Sequence, residues 1–328
     1  MNLTECDKVE ILVLVDNVVD TLSSTPFFVT RETAILRKRG LRRVSGAALC
    51  CANHGLSLVV TAHGPDGPRH MLFDGGPVDF AVERNGTRLG VDFGRIEAAM
   101  LSHGHWDHAG GLPRALGLVN AANGGKAIPL YLHPGMFHER ATRQPDDGVM
   151  PMENVPSPRD WRDFGAEPIV TDRPTTVLDD LFYISGEIPR LTAYEHGFIE
   201  QVRRTGPDAP WEPDPLLMDE RFMAVNVKGR GLVVFSACSH AGIVNVMHAA
   251  TAAFPGVKPH AVIGGFHLSG TTEAIIPQTV QDLGQFNLDH ILPAHCTGWR
   301  AVNALVAAYG EPKIAPAAVG KRFTFSAP

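Results

Sequence analysis

The chain has 328 residues and a formal net charge of −6 at neutral pH. Hydrophobic residues make up 44% and charged residues 20% of it, which is typical of soluble globular proteins and argues against a disordered chain. Its mild acidity and its lack of Lys/Arg clusters argue against nucleic acid as a partner. The longest apolar runs, such as residues 11–15, have the length of a strand, so a membrane partner is also excluded.

The cysteines and the N-terminal segment indicate a reducing compartment. The five cysteines form no Cys-x-x-Cys pair, so the sequence predicts neither a disulfide framework nor a cysteine zinc knot. The first apolar run follows acidic residues, unlike a secretory signal. We therefore expect a cytoplasmic protein that acts on a small-molecule substrate.

Short β-branched runs alternate with longer helical patterns, which favours a layered α/β structure. The predicted strands cover residues 10–15, 56–62, 70–74, 98–102, 128–133, 222–227, 231–236, 260–263, 290–293 and 313–319. The predicted helices cover residues 78–88, 111–118, 242–254, 272–286 and 299–309.

Two proline-rich stretches interrupt this alternation. Residues 141–180 contain six prolines and residues 194–220 contain four, with little periodicity in either stretch. Irregular segments of this length in a compact domain usually have a function. We expect a single domain over residues 1–328 in which both inserts border the functional cleft. Their large apolar side chains are the expected substrate-facing surfaces: Trp161, Phe198 and Trp211.

The segment LSHGHWDHAGGL at residues 101–112 contains the strongest chemical signal. An apolar strand runs into it and a helix follows. In extended backbone His103 and His105 point the same way, and the turn brings Asp107 and His108 back towards them. Three imidazoles and a carboxylate within six residues suit a divalent cation such as zinc.

Three further histidines, His240, His267 and His295, each follow a predicted strand. Functional groups in α/β folds gather where strands end, so three histidines in this position are best explained as one site. Cys238 lies beside His240, but a thiol must lose its proton before it binds a metal. We expect His240 to be the ligand and Cys238 to be a small buried packing residue.

The HGHWDHAGG segment resembles the metal-binding signature of the metallo-β-lactamase superfamily, and Asp74-Gly75-Gly76 resembles its upstream Asp-x-Gly turn. Six further segments resemble one branch of it, which contains the dihydropterin-ribofuranosylaminobenzene phosphate synthases and related metal-dependent hydrolases: residues 14–17, 54–57, 185–190, 238–243, 264–268 and 295–298. The resemblance implies a four-layer αβ/βα sandwich, with two facing β-sheets, helices outside and a metal site at one end.

The resemblance also implies roles for individual residues. One ion is expected among His103, His105 and His240, and a second among Asp107, His108 and His295. Asp107 would also orient water, and His267 would be a ligand or a general acid. Asp74 should hydrogen-bond to a metal-ligating imidazole. Zinc is the expected metal, with manganese, iron and magnesium as alternatives.

The expected activity is hydrolysis of a small ester, phosphoester or lactone. Two alternatives remain open: synthase chemistry of the branch, in which an arylamine attacks a pterin methylene and pyrophosphate leaves, and a metal-holding small-molecule binding protein. The expected substrate contacts are Asp16, Asn17, Glu187, His196 and Trp211.

Overall fold

The computed structural model describes residues 2–328, and within them it has nineteen strands and eight α-helices. The strands are β1 Glu5–Cys6, β2 Lys8–Val15, β3 Val29–Thr30, β4 Ser57–Gly64, β5 Gly67–Phe73, β6 Ala98–Met100, β7 Ile128–Leu132, β8 Glu139–Arg143, β9 Val149–Pro151, β10 Ala166–Val170, β11 Thr175–Val177, β12 Phe182–Ile184, β13 Gln201–Arg204, β14 Glu212–Pro213, β15 Met223–Val227, β16 Gly231–Ser236, β17 Pro259–Gly264, β18 His290–Pro293 and β19 Arg322–Ser326. The helices are α1 Glu32–Lys38, α2 Asp79–Leu89, α3 Trp106–Ala109, α4 Leu112–Ala122, α5 Pro158–Asp163, α6 Ile243–Ala253, α7 Ile276–Leu283 and α8 Trp299–Tyr309.

Most strands belong to two large sheets. The first has the order β10-β7-β6-β5-β4-β2-β19-β3, and the second has the order β11-β12-β15-β16-β17-β18 with β1 added beside β15. In the second sheet β16, β17 and β18 are parallel, so their carboxyl ends meet at one edge. The strand β6 is likewise parallel to β5 and β7 in the first sheet.

The two sheets face each other across a shared core. Along β2, Val9, Ile11 and Val13 face the second sheet, whereas Leu12 and Leu14 pack under the helices of the first. This alternation follows from the period of two in a strand and explains why β2 is apolar on both faces. A third apolar cluster joins the second sheet to α6, α7 and α8. The layers are therefore helix, sheet, sheet and helix, which confirms the architecture that the resemblance implies.

The sequence predictions were wrong in two segments. Residues 313–319 form no strand, because Pro316 interrupts the run, and the last strand is β19 instead. The inserts are more regular than expected: β8 and β9 from the first insert region pair with β13 and β14 from the second in a separate four-stranded sheet. No helix within residues 2–328 has the length and hydrophobicity needed to span a bilayer.

Candidate metal centre

Histidines from four loops meet where the strands of the two sheets end. His103 and His105 follow β6, whereas His240, His267 and His295 follow the parallel strands β16, β17 and β18. His240 stands next to both His103 and His105, with ring centroids 4.9 Å apart in each case. The structure thus brings together the N-terminal motif and the C-terminal histidines that the sequence predicts to share one site.

The first part of the cluster, the nitrogen group, consists of His103, His105 and His240. Candidate ligand nitrogens of these three residues all lie within 4.8 Å of one another. His103 Nε2 is 3.1 Å from His105 Nδ1. Burial lowers the pKa of all three imidazoles, that of His105 to about 3, so the rings are neutral near pH 7 and keep a lone pair.

The second part, the mixed group, consists of Asp107, His108, Cys238, His295 and Cys296. Asp107 Oδ2 lies 3.3 Å from His295 Nε2, and Cys238 Sγ lies 3.4 Å from His108 Nε2. Burial opposes the charged form of Asp107, but His108 and His295 outweigh it and lower its pKa. Burial also opposes the charged form of His108, but Asp107 and Asp74 raise its pKa to about 9.

Several buried nitrogens in the cluster have no hydrogen-bond partner. They include His105 Nε2, both ring nitrogens of His240 and His267 Nδ1. Leaving a buried polar atom unpaired costs about 1–3 kcal/mol, so such atoms need an explanation. A divalent metal fits this donor set, because neutral imidazole, carboxylate and thiolate are all zinc ligands.

Buried Asp74 holds one ligand of the mixed group. Its Oδ2 accepts a hydrogen bond from His108 Nδ1 at 2.8 Å, as the sequence predicts, and its Oδ1 accepts one from Ser102 N at 2.7 Å. The bond at Nδ1 leaves His108 Nε2 directed at Cys238 and Asp107. Asp74 therefore fixes the ring orientation that metal binding requires.

Asp16 and Asn17 hold His295 in the same way. Asp16 Oδ1 accepts a hydrogen bond from the His295 backbone N–H at 2.8 Å, and Asn17 Oδ1 accepts one from His295 Nδ1 at 2.9 Å. Asp16 is buried, and that burial raises its pKa. Both carboxylate oxygens of Asp16 accept hydrogen bonds from backbone N–H groups, and Asp16 lines a different cavity beside His295, so the substrate contact expected there stays a prediction. Asn17 does line the cleft.

Two consecutive carboxylates, Asp219 and Glu220, hold the nitrogen group from the other side. Glu220 accepts hydrogen bonds from the backbone N–H groups of His240 and Ala241, at 2.9 and 2.6 Å. Asp219 Oδ2 accepts one from Gly104 N at 2.8 Å. Burial raises the pKa of Glu220 to about 6.

Gly104, between the two motif histidines, allows this contact. A Cβ at this position would lie 2.3 Å from Nη1 of Arg140 and 2.8 Å from the carbonyl oxygen of Met136. Arg140 is itself buried and ion-paired with Asp219. The loop that carries His103 and His105 therefore packs directly against Arg140 of β8, in the four-stranded sheet that the inserts form.

A cleft of about 380 Å³ opens onto the cluster. Thr142, Met152 and Phe198 from the two inserts form part of its wall, so both inserts border the site as expected. The Phe198 ring lies 6.0 Å from that of His240 and 5.4 Å from that of His267. No Lys or Arg is among the described residues that line the cleft.

Other predicted contacts lie elsewhere. Trp161 is fully buried in the core beside α4, so its prediction as a substrate-facing surface is wrong. The Trp211 ring is covered by the Arg204 guanidinium and does not line the cleft. Glu187 borders a different cavity, and its Oε1 lies 3.7 Å from His133 Nε2. His196 lines a neighbouring cavity that shares His240 and His267 with the cleft.

Sequence reasoning missed four residues of the site. They are His54, Asp219, Glu220 and Cys296. Cys296 directly follows His295 and its thiol meets Cys238, which belongs to none of the three apolar clusters. Cys238 is buried, as the sequence suggests, and its sulfur also faces His108 and Cys296, so its role as a packing residue stays a prediction. The acidic pair before β15 was a signal that could have been read, because adjacent carboxylates at a strand start are costly to bury without partners.

Comparisons with known proteins agree with this architecture. Residues 59–198 match the family model described as the Metallo-beta-lactamase superfamily. The 7,8-dihydropterin-6-methyl-4-(beta-D-ribofuranosyl)-aminobenzene-5'-phosphate synthase of Methanocaldococcus jannaschii is 27% identical over 271 residues, covering 79% of this chain and 86% of the relative. The Uncharacterized protein MJ0448 of the same organism is 27% identical over 254 residues, covering 77% and 88%.

A solved structure, Tm1679, described as a metal-dependent hydrolase of the beta-lactamase superfamily, superposes with a TM-score of 0.67 at 21% identity. The superposition covers 97% of this chain and 99% of that one. Together these findings confirm the fold and the resemblance predicted from the sequence. The chain thus has the αβ/βα sandwich fold of the metallo-β-lactamase superfamily, and it is similar to that family over residues 59–198.

Proposed function

We propose that the protein is a metal-dependent hydrolase that acts on a small ester, phosphoester or lactone. The observation that carries this proposal is a group of buried imidazole nitrogens without partners, on His105 and His240, at the floor of an open cleft. Buried titratable groups that converge in a concave site are the usual sign of an active site.

In this proposal His103, His105 and His240 hold one zinc ion, and Asp107, His108 and His295 hold a second. The chemistry that such ions supply when bound is Lewis acidity and activation of water near neutral pH. The neutral rings of the nitrogen group favour metal binding because no proton has to be displaced from them.

The chain's own residues would do the rest of the work. Asp107 is placed to orient the attacking water with its carboxylate. His267 faces the cleft with a buried Nδ1 that has no partner, and we assign to it the transfer of a proton to the leaving group. Phe198 and Met152 line the cleft, and we assign to these two side chains the exclusion of bulk water from the reacting groups.

Synthase chemistry is the second candidate, and the similarity to the Methanocaldococcus jannaschii synthase favours it. In that reaction an arylamine nitrogen attacks a pterin methylene carbon, and pyrophosphate leaves with the bonding electron pair. Such phosphorylated substrates usually meet Arg or Lys side chains. The cleft lining lacks both, so we rank hydrolysis of an ester or lactone first, ahead of phosphoester hydrolysis and of the synthase reaction.

The test uses metal-stripped protein reloaded with zinc, with magnesium and with manganese. A panel of esters, phosphoesters and lactones is assayed by product mass, and the pterin pyrophosphate is then offered alone and with the arylamine. Zinc-dependent release of acid and alcohol supports the hydrolase, whereas a coupled pterin–arylamine product supports the synthase. A tightly retained small ligand without turnover on any substrate would support a binding protein and contradict both.

A further inference from the structure

Two cysteines far apart in the sequence meet beside the metal cluster. Cys238 follows β16 and Cys296 follows β18, and their sulfur atoms are 3.2 Å apart. The other three cysteines lie elsewhere: Cys6 and Cys50 belong to apolar core clusters, and Cys51 Sγ lies 3.7 Å from the Asn85 amide oxygen. Cys238 and Cys296 belong to none of the three apolar clusters.

Both thiols point at candidate metal ligands. Cys238 Sγ lies 3.4 Å from His108 Nε2. Ligand atoms of Cys238, His295 and Cys296 all lie within 4.8 Å of one another. The sulfur atoms thus occupy the same small volume as the imidazoles of the mixed group.

The backbone around Cys296 leaves room for its thiol. A Cβ on Gly265 would lie 2.5 Å from Cys296 Sγ and 2.5 Å from the carbonyl oxygen of Ala237. Any side chain at residue 265 would therefore push the thiol out of its position. The same loop carries His267, which lines the cleft, and Gly265, whose missing side chain leaves space for the Cys296 sulfur.

We propose that Cys238 and Cys296 bind the metal of the mixed group as a pair of thiolates. This proposal rests on the metal centre of the proposed function and specifies its metal: thiolates select zinc-like ions and disfavour magnesium and manganese, which prefer oxygen ligands. Each thiol releases its proton to solvent when it binds, and neither sulfur changes its oxidation state.

The first experiment reads the sulfur ligands directly in cobalt(II)-loaded protein. Thiolate ligands give a sulfur-to-cobalt charge-transfer band in the near-ultraviolet, which nitrogen and oxygen ligands do not. We expect this band in the unsubstituted protein, a loss of roughly half its intensity in Cys238→Ser and in Cys296→Ser, and its absence in the double variant. Cys51→Ser, a cysteine outside the cluster, is the matched control and should leave the band unchanged.

Zinc-edge X-ray absorption of the unsubstituted protein provides a measurement that needs no variant to fold. It should contain a sulfur shell at about 2.3 Å from zinc. Full metal occupancy with only nitrogen and oxygen neighbours would overturn the thiolate pair while leaving the proposed function intact. A protein that retains no metal at all would overturn both.

A competition completes the test. Zinc should resist displacement by a large excess of magnesium in the unsubstituted protein and be displaced more readily in the Cys238→Ser/Cys296→Ser double variant. Equal resistance in both proteins would mean that the sulfur atoms do not set the metal preference.

Discussion

The nitrogen group and the mixed group lie side by side and are built on different physical principles. In the nitrogen group burial keeps three imidazoles neutral, and buried carboxylates hold the loops through backbone N–H groups. In the mixed group charges dominate, because Asp74 and Asp107 raise the pKa of His108 to about 9 against the effect of burial. A cation can thus bind at one edge of the sandwich in two environments. In one, burial sets the protonation state of the histidines, and in the other, neighbouring carboxylates do.

The largest expected effect comes from removing one ligand of each group. His240→Ala should lower the metal content from about two ions per chain to about one, and His295→Ala should do the same for the other ion. Activity should fall in both variants by more than the 10- to 100-fold loss expected of an outer hydrogen-bond partner. Elemental analysis and steady-state kinetics measure the two effects.

The matched control is His290→Ala, since His290 lies outside the cluster and stacks on Phe325. Its metal content should remain that of the unsubstituted protein. If His240→Ala and His295→Ala removed both ions together, the two groups would be one inseparable site and the comparison would fail.

The next effect separates the supports of the two groups. Asp74→Asn should weaken metal affinity in the mixed group by roughly 10- to 100-fold, because it disturbs the hydrogen bond that orients His108. Glu220→Gln should weaken the nitrogen group instead, since one backbone N–H at residues 240–241 loses its acceptor. Metal titration with a chromophoric chelator reads both affinities.

Glu273→Gln, which alters a partly exposed carboxylate paired with Arg300, is the control for these substitutions. An unchanged affinity in Asp74→Asn would contradict the role of Asp74. If Asp74→Asn changed the metal affinity of the nitrogen group only, or Glu220→Gln that of the mixed group only, each carboxylate would support the other group and our assignment would be wrong.

An effect of similar size is expected from pH. Without metal His108 holds a proton up to about pH 9, and that proton must leave before Nε2 can bind a cation. Metal affinity of the mixed group should therefore rise at least about tenfold per pH unit between pH 7 and 9. The nitrogen group should be nearly flat over that range, because its rings are already neutral. Metal titrations at several pH values measure the mixed group in His240→Ala and the nitrogen group in His295→Ala. An equal dependence of metal affinity on pH in the two variants would contradict the difference between the groups.

The smallest effect concerns the cleft wall. Phe198→Ala should raise KM by roughly two- to tenfold and change kcat less, because an aromatic contact contributes about 0.5–1.5 kcal/mol. Trp211→Ala removes an aromatic ring that does not line the cleft and is the matched control. A change in KM in Trp211→Ala equal to that in Phe198→Ala would mean that the insert acts through its fold and not through contact with the substrate.

The sequence predicts those parts of the site that are local in the chain. His103, His105, Asp107 and His108 lie within six residues, so their spacing alone points to them, whereas Asp74 is identified by the resemblance of Asp74-Gly75-Gly76 to the Asp-x-Gly turn of the superfamily. The layered fold follows from alternating strands and helices together with the resemblance. The single-domain assignment over residues 1–328 stays a prediction.

The remaining features depend on contacts between distant segments. Asp219 reaches Gly104 across 115 residues, and Cys296 reaches Cys238 across 58. The burial of Asp16 and its hydrogen bond to the His295 backbone arise only when the end of β2 packs against the loop after β18. The inserts look irregular in sequence because their strands are short and do not alternate between apolar and polar residues. Their regular structure arises only when β8 pairs with β13, a strand far away in the sequence.

Anomalous X-ray scattering at the zinc edge, from crystals of zinc-loaded protein, tests the central claim most directly. The account predicts two peaks in the cluster, one enclosed by His103, His105 and His240, and one beside Asp107, His108 and His295 with Cys238 and Cys296 as neighbours. Zinc bound only at histidines outside the cluster, such as His63 or His70, or no peak at all, would contradict it.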